Sequence, residues 1–152
     1  MSLDDRSLTV AALMLPAQAN PRGNVHGGEI MKMMDNAAGC AAAKYARTNV
    51  VTARVDGMQF LEPVRISDFV TCTARVVHVG TTSMDIYVTV DVENLRSGTG
   101  KRRALESYFT LVALDENDHP TPVPPYAPET AEDKYHWEIA RARRAAIRKP
   151  KP

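Results

Sequence analysis

The residues best equipped for chemistry lie together, from Asn20 to Asp35: Asn-Pro-Arg-Gly-Asn-Val-His-Gly-Gly-Glu-Ile-Met-Lys-Met-Met-Asp. The stretch reads as a glycine-containing loop running into a helix, with a carboxylate about two turns inside it. A helix N-terminus presents unpaired N–H groups and a partial positive charge, so it can hold an oxyanion. Gly27 and Gly28 would leave those amides open to a substrate carbonyl. At about 100° per residue, Asp35 falls on the flank of the apolar face, in a stripe with Met31, Ala38 and Ala42. A carboxylate placed there is expected to be partly shielded from water, which suits a general base. The same residue types also fit a plainer reading: an Asp on a helix flank is often solvated, and Gly-Gly is often only a turn. His26 is a base by type, yet a lone loop histidine is more often structural.

The elements around this stretch follow from periodicity. Leu8 to Met14 reads as an edge strand, and Pro16, Asn20, Pro21, Gly23 and Asn24 mark a loop. From Ile30 to Tyr45 the period is helical, with Ile30, Met33, Met34, Ala37, Ala38, Ala41 and Tyr45 on one face. The run of small residues from Ala37 to Ala43 predicts a central helix packed closely on a sheet. Strands are expected at Val50–Val55, Gly57–Leu61 and Phe69–Val79. Another spans Ser83–Glu93, where Met84, Ile86, Val88, Val90 and Val92 alternate with polar residues as in a half-solvated antiparallel strand. Val79-Gly80-Thr81-Thr82 reads as a hairpin turn, Arg96–Gly100 as a second turn, and Arg102–Leu114 as a long final strand. The five prolines of Pro120–Pro128 predict an extended surface segment that blocks further pairing. Glu129–Arg148 reads as a basic helix fraying into Lys-Pro-Lys-Pro, with Tyr135 and Trp137 as packing anchors. One helix followed by several antiparallel strands makes the chain α+β.

Composition narrows the function classes. The 152 residues are the size of one domain, and a 44% hydrophobic share supports a core without metal or disulfide help. Nineteen bases against eighteen acids give no bulk attraction to nucleic acid or membrane. Seven of those bases, against four acids, fall between Glu129 and Pro152. No apolar run is long enough for a membrane span, and Met1–Arg6 does not read as a secretory leader. Cys40 and Cys72 have no paired partners, which suits a reducing, cytoplasmic setting. His78, His119 and His136 have no metal-site spacing. Asp56, Asp68, Asp85 and Asp91 read as strand-end or sheet-face charges. No Gly-x-Ser-x-Gly elbow, P-loop or dinucleotide fingerprint is present. The Gly80-Thr81-Thr82-Ser83 turn and the Lys101-Arg102-Arg103 cluster are the remaining phosphate candidates, each weak alone.

Taken together, these segments resemble the hot-dog-fold acyl-CoA thioesterases, specifically the cytosolic acyl-CoA hydrolase branch. The matching pieces are Gly23-Asn24-Val25-His26-Gly27-Gly28 leading to Met34-Asp35, then Thr48-Asn49-Val50-Val51-Thr52, Val55-Asp56, Ser83-Met84-Asp85-Ile86, Lys101-Arg102, and the Pro122-Val123-Pro124 and Pro128-Glu129-Thr130 tail. The resemblance runs from about Leu8 to about Arg144. It implies an antiparallel sheet wrapped around one long central helix, here Gly28 to about Arg47, with residues 1–128 as a single hot-dog domain and 129–152 as a helical extension and tail. It also implies that Asp35 is the catalytic carboxylate and that Asn20 cooperates with it across a dimer interface. Some relatives fuse two such domains; one domain carrying both residues implies a homodimer with two equivalent sites, and dimers that gather into hexamers. Gly27 and Gly28 would polarise the thioester carbonyl. His26, Thr82, Ser83, Lys101 and Arg102 would meet the substrate, the last four at the nucleotide end of coenzyme A. No cofactor is implied. The competing readings are a non-catalytic acyl-CoA sensor and a hot-dog dehydratase, whose chemistry wants a histidine paired with an acid.

Overall fold

One helix has to reach from one edge of the sheet to the other. The computed structural model describes residues 3–148, so the Lys149–Pro152 end expected to fray lies outside the described residues. After a one-turn helix, α1 (Leu3–Arg6), come the strand β1 (Ser7–Leu13) and a short 3-10 turn (Pro16–Gln18). The long helix α2 (Gly27–Ala46) follows, then strands β2 (Asn49–Phe60), β3 (Phe69–Val79), β4 (Ser83–Asn94) and β5 (Thr99–Leu114), and finally helix α3 (Ala131–Arg148). The strands form one antiparallel sheet in the order β1-β3-β4-β5-β2. β1 and β2 are therefore opposite edges, although α2 and its loops are all that separate them in sequence. α2 must cross a whole face of the sheet, and it touches all five strands.

The sequence of α2 makes that crossing possible. Its buried stripe is Ile30, Met34, Ala37, Ala38, Ala41, Ala42 and Tyr45, the face expected from the 3.6-residue period with Ala42 added and Met33 only partly buried. Four alanines in the middle let the helix backbone approach the sheet closely, while Ile30 and Met34 fill the wider end. Facing them are the even-numbered apolar residues of β4, Met84 to Val92, all fully buried. The helix ends at Arg47, which takes a left-handed conformation (φ 58°) while its amide donates to the Ala43 carbonyl at 2.8 Å. The Tyr45 hydroxyl donates to the Pro124 carbonyl at 2.7 Å, tying the proline-rich arm across the end of the core.

Four expectations need correction. The stretches Val50–Val55 and Gly57–Leu61 are one strand, β2, interrupted by register shifts at Thr52/Arg54 and Asp56/Gln59; Gly57, at φ 44°, absorbs the second. The alternate face of β4 is less solvated than expected: Asp85 and Thr89 are buried, as is His78 of β3, and α3 meets this face through Arg144 on Asp85 and His136 against the Tyr87 ring. The proline-rich arm does not simply end pairing: the Thr121 and Val123 amides donate to the Ala113 and Thr81 carbonyls, each at 2.9 Å. Trp137 is an anchor, its ring 4.3 Å from that of His78, but Tyr135 is exposed; His136 and Ala140 pack inward instead.

Charge pins α3 at both ends. At its start the Asp133 amide donates to the Thr130 hydroxyl at 3.0 Å, and buried Arg6 reaches both the Val76 carbonyl (3.1 Å) and Asp133 (3.5 Å). Near its end Arg144 donates to Asp85 at 2.6 Å, and Asp85 also accepts from His78 and from Thr110. Arg144 passes directly over Gly80, where a Cβ would stand 2.5 Å from its Nη1. The Gly80-Thr81-Thr82-Ser83 turn thus uses its glycine to admit an arginine of α3.

Burial alone would push the Asp85 carboxyl up. The His78 hydrogen bond, the Arg144 charge and the Thr110 hydroxyl outweigh it and hold the group below its usual value. A lowered folded-state value contributes stability that is present above the unfolded value, near 3.9, and lost as pH falls toward the folded one. Asp85→Asn should therefore cost stability at neutral pH and flatten the acid side of the pH–stability curve below about pH 4, read by urea unfolding between pH 3 and 7. A wild-type acid slope in the variant would remove Asp85 from that role.

Candidate active site

The loop before α2 is shaped by Asn20. Its Oδ1 accepts from the Arg22 and Asn24 amides at 2.9 and 3.1 Å, and Gly23 completes the turn at φ 82°. The loop is then fixed to its surroundings, the Val25 amide donating to the Val64 carbonyl (2.8 Å) and the His26 amide to the Gln18 carbonyl (2.9 Å). With its oxygen committed to the loop, Asn20 has its Nδ2 donor left for chemistry. His26 is the exposed N-cap of α2 and makes no side-chain capping bond.

Gly27 and Gly28 open the helix, where N–H groups lack intrahelical acceptors. A Cβ on Gly28 would meet nothing within 4 Å, whereas one on Gly27 would stand 3.4 Å from the Phe60 ring. A side chain at Gly28 would project into open space, and one at Gly27 would meet an aromatic wall supplied by the bulged end of β2.

Asp35 accepts a hydrogen bond from the Thr52 hydroxyl of β2 at 2.6 Å. The pair closes one end of an open groove of about 490 Å³ between α2 and β2, which continues past Gly39 and Cys40 on one side and Val50 and Val51 on the other. Contrary to the expected shielding, Asp35 is exposed in the single chain. The bond to Thr52 fixes one carboxylate oxygen and leaves the other free to take a proton or attack a carbon. Thr52 is the residue that the sequence reading passed over, although the matching segment Thr48–Thr52 was in view. A strand rises about 3.3 Å per residue and a helix about 1.5 Å, so five residues forward from Arg47 and twelve back travel nearly the same distance. That arithmetic places Thr52 opposite Asp35.

The remaining candidates are separated. Asp35 is seven residues along the helix from Gly28, roughly 10 Å along the axis, so one chain cannot bring both to a single carbonyl. Asn20 belongs to the loop cluster and Asp35 to the groove. Thr82 and Ser83, expected beside Lys101 and Arg102, are at the other end of the sheet from them: Ser83 pairs with Val112, and Arg102 with Val92, roughly 30 Å away along the strand. Arg102 is engaged with Asp68 (3.4 Å) and Glu62 (3.9 Å), while Lys101 is exposed. These four residues form no common patch within one chain.

A sheet curled around one helix, with a carboxylate on the helix flank and free amides at its N-terminus, defines the hot-dog thioester-processing class. The thioesterase superfamily profile matches residues 22–99. The chain is 38% identical over 132 residues to the cytosolic acyl coenzyme A thioester hydrolase of Rattus norvegicus, covering 86% of this chain and 35% of that protein. It thus spans about a third of the length of its mammalian relatives. It is 41% identical over 119 residues to an acyl-CoA thioester hydrolase of Salmonella typhimurium, covering 77% of this chain and 90% of the relative. Among solved structures, a hexameric acyl-CoA thioesterase superimposes with a TM-score of 0.90 at 34% identity, over 96% of this chain and 93% of that one. The acyl-CoA hydrolase of Staphylococcus aureus, solved with butyryl coenzyme A and coenzyme A, gives 0.87 at 30% identity over 97% and 92%. The chain belongs to the thioesterase superfamily. The Staphylococcus aureus protein has also been solved with an Asn, an Asp and a Thr each replaced by Ala, and those three residues have the same sequence spacing as Asn20, Asp35 and Thr52.

If Thr52 aims the carboxylate, Thr52→Val should lower thioester turnover by about 10- to 100-fold, the worth of a hydrogen bond to a charged group, while Thr52→Ser keeps most of it. Steady-state thiol release checks this, and equal rates for the two variants would oppose it.

Proposed function

We propose that this protein hydrolyses acyl-CoA to a free carboxylic acid and coenzyme A. The observation that carries the reading is the Thr52-oriented Asp35 carboxylate at the head of an open, largely apolar groove. The matching Asn, Asp and Thr spacing in the Staphylococcus aureus hydrolase supports it. In the reaction, Asp35 takes a proton from water as that water attacks the thioester carbonyl, or attacks the carbonyl itself and is released by water from a mixed anhydride. Amides at the start of α2 in a second copy, since one chain's own lie about 10 Å along the helix from its Asp35, stabilise the oxyanion, worth about 3–4 kcal/mol per well-placed donor. The tetrahedral intermediate then collapses with loss of the coenzyme A thiolate. Asp35, water and backbone donors supply every step, so no cofactor is required. The groove offers a carboxylate and hydroxyl but no imidazole, which does not favour the dehydratase reading. A sensor would have no use for an oriented carboxylate.

The working unit in this reading is a homodimer. β2 is a twelve-residue edge strand without a fully buried residue, and it exposes Val51, Val55 and Phe60, with Met31 and Leu61 also exposed. A long apolar edge is a template for another strand, and a second copy pairing there in two-fold fashion would carry its own loop toward Asp35. Three such dimers would make the hexamer seen in relatives. The name of the rat relative and the unpaired cysteines support a cytosolic location.

Asp35→Asn should preserve fold and assembly while lowering thiol release by on the order of a hundredfold or more; near-wild-type turnover would sink the assignment. Asn20→Ala should lower turnover with little effect on binding. If each site joins Asp35 of one copy to Asn20 of its partner, co-refolding the two variants should restore roughly a quarter of wild-type activity, because about half the dimers are mixed and each has one intact site. Verified heterodimers no more active than their parents would place both residues in one chain's site.

A further inference from the structure

We propose that the groove running from Asp35 toward Cys40 receives the acyl chain of the substrate and that Gly39 sets the length it admits; this rests on the thioesterase reading above. The reacting carbonyl must lie at Asp35, so the chain has to leave along the surface adjoining that carboxylate. There the lining turns apolar: Gly39 and Cys40 on α2, Val50 and Val51 on β2, with Leu111 between them. Five residues of helix from Asp35 to Cys40, or two of strand from Thr52 to Val50, give this apolar wall a length of roughly 7 Å.

Where the apolar wall stops is equally informative. The next concavity along α2, about 440 Å³, is lined by Arg47, Asn49, Asp115 and Glu116 as well as Ala43. Methylenes entering it would strip water from charged groups and gain apolar contact with little more than Ala43 and Leu114. The surface therefore suits short and medium acyl chains and opposes long ones.

Within one chain nothing requires glycine at position 39. A Cβ there would meet nothing within 4 Å, and its backbone is helical, with no positive φ. Glycine in the middle of a helix is less favourable than alanine, so what the residue contributes is the empty space above it, within the groove.

The test pairs turnover with a chemical probe of occupancy. Hydrolysis of acetyl-, butyryl-, octanoyl- and palmitoyl-CoA is compared for wild type, Gly39→Ala and Gly39→Leu, with sedimentation checking that assembly is unchanged. Wild type should favour short and medium chains. Gly39→Leu should lose octanoyl-CoA hydrolysis relative to acetyl-CoA by on the order of tenfold or more. For the probe, Cys40 is exposed whereas Cys72 is fully buried, its thiol pushed up to about 12, so iodoacetamide should report Cys40. In the Asp35→Asn protein, octanoyl-CoA should slow that alkylation at least severalfold and coenzyme A should not.

A wild-type protein that releases thiol from none of the four esters overturns the thioesterase reading, and this inference with it. Turnover with equal losses for all chain lengths in Gly39→Leu overturns the inference alone. So does a change of assembly in that variant, a wild-type preference for palmitoyl-CoA, or Cys40 alkylation indifferent to octanoyl-CoA.

Discussion

Everything in this molecule depends on α2 passing beneath the whole sheet. The chain leaves one edge strand, β1, and must arrive at the other, β2, with only twenty helical residues and two loops to do so. The sheet meets that demand by curling around the helix, and the helix by reducing its central contact residues to alanine. A leucine at Ala38 or Ala41, both fully buried, would have to push the sheet away along its length, since a close-packed interior has no room for several added carbons. The same geometry decides where chemistry can occur. The buried stripe of α2 is consumed by packing, so only its N-terminal amides and one exposed flank remain, and both are bordered by β2.

β2 serves two layers at once because of a single extra residue. Thr52 stands opposite Leu111 on the core side and reaches Asp35, whereas Arg54 stands opposite Thr110 on the outer side. Regular alternation would put residues 52 and 54 on one face; the bulge at Ala53 puts them on two. Asp56, farther along, accepts from Arg54 and forms an ion pair with Arg143 of α3. The edge strand thus holds the Asp35 carboxylate with one residue and the covering helix with the next pair. This is why α3, which contributes nothing to the groove, is still coupled to the strand that lines it.

The sequence was most legible where one period dominates. The helix stripe from Ile30 to Tyr45 and the strands Phe69–Val79 and Ser83–Glu93 follow from spacing alone, because each has one face fully buried. It was least legible where a second layer changes the rules. Asp85 and His78 look like surface residues until α3 is laid over them, and nothing local in β4 announces a helix fifty residues later. Within the site, Asp35 and the Gly27-Gly28 amides stood out by type and position. Thr52 did not, because its role comes from the chain reversing at Arg47, and a lone threonine in a strand has no distinguishing pattern. The separation of Thr82 and Ser83 from Lys101 and Arg102 within one chain was hidden for a similar reason: a hairpin puts the start of one strand beside the end of the next.

The exposure of Asp35 is the feature that ties these points together. A carboxylate in open solvent is a weak catalyst, since water screens the charges that develop around it. In one chain the amides that could hold the oxyanion are about 10 Å up the helix, and the groove walls are open. A second copy paired along β2 would remedy both defects at once, bringing its own loop over Asp35 and excluding water from the groove. On this reading the unpaired apolar edge and the incomplete site have the same cause. Half of the proposed catalytic apparatus would then lie beside the edge that recruits the other half, and the carboxylate would acquire its full working environment only with a partner paired there.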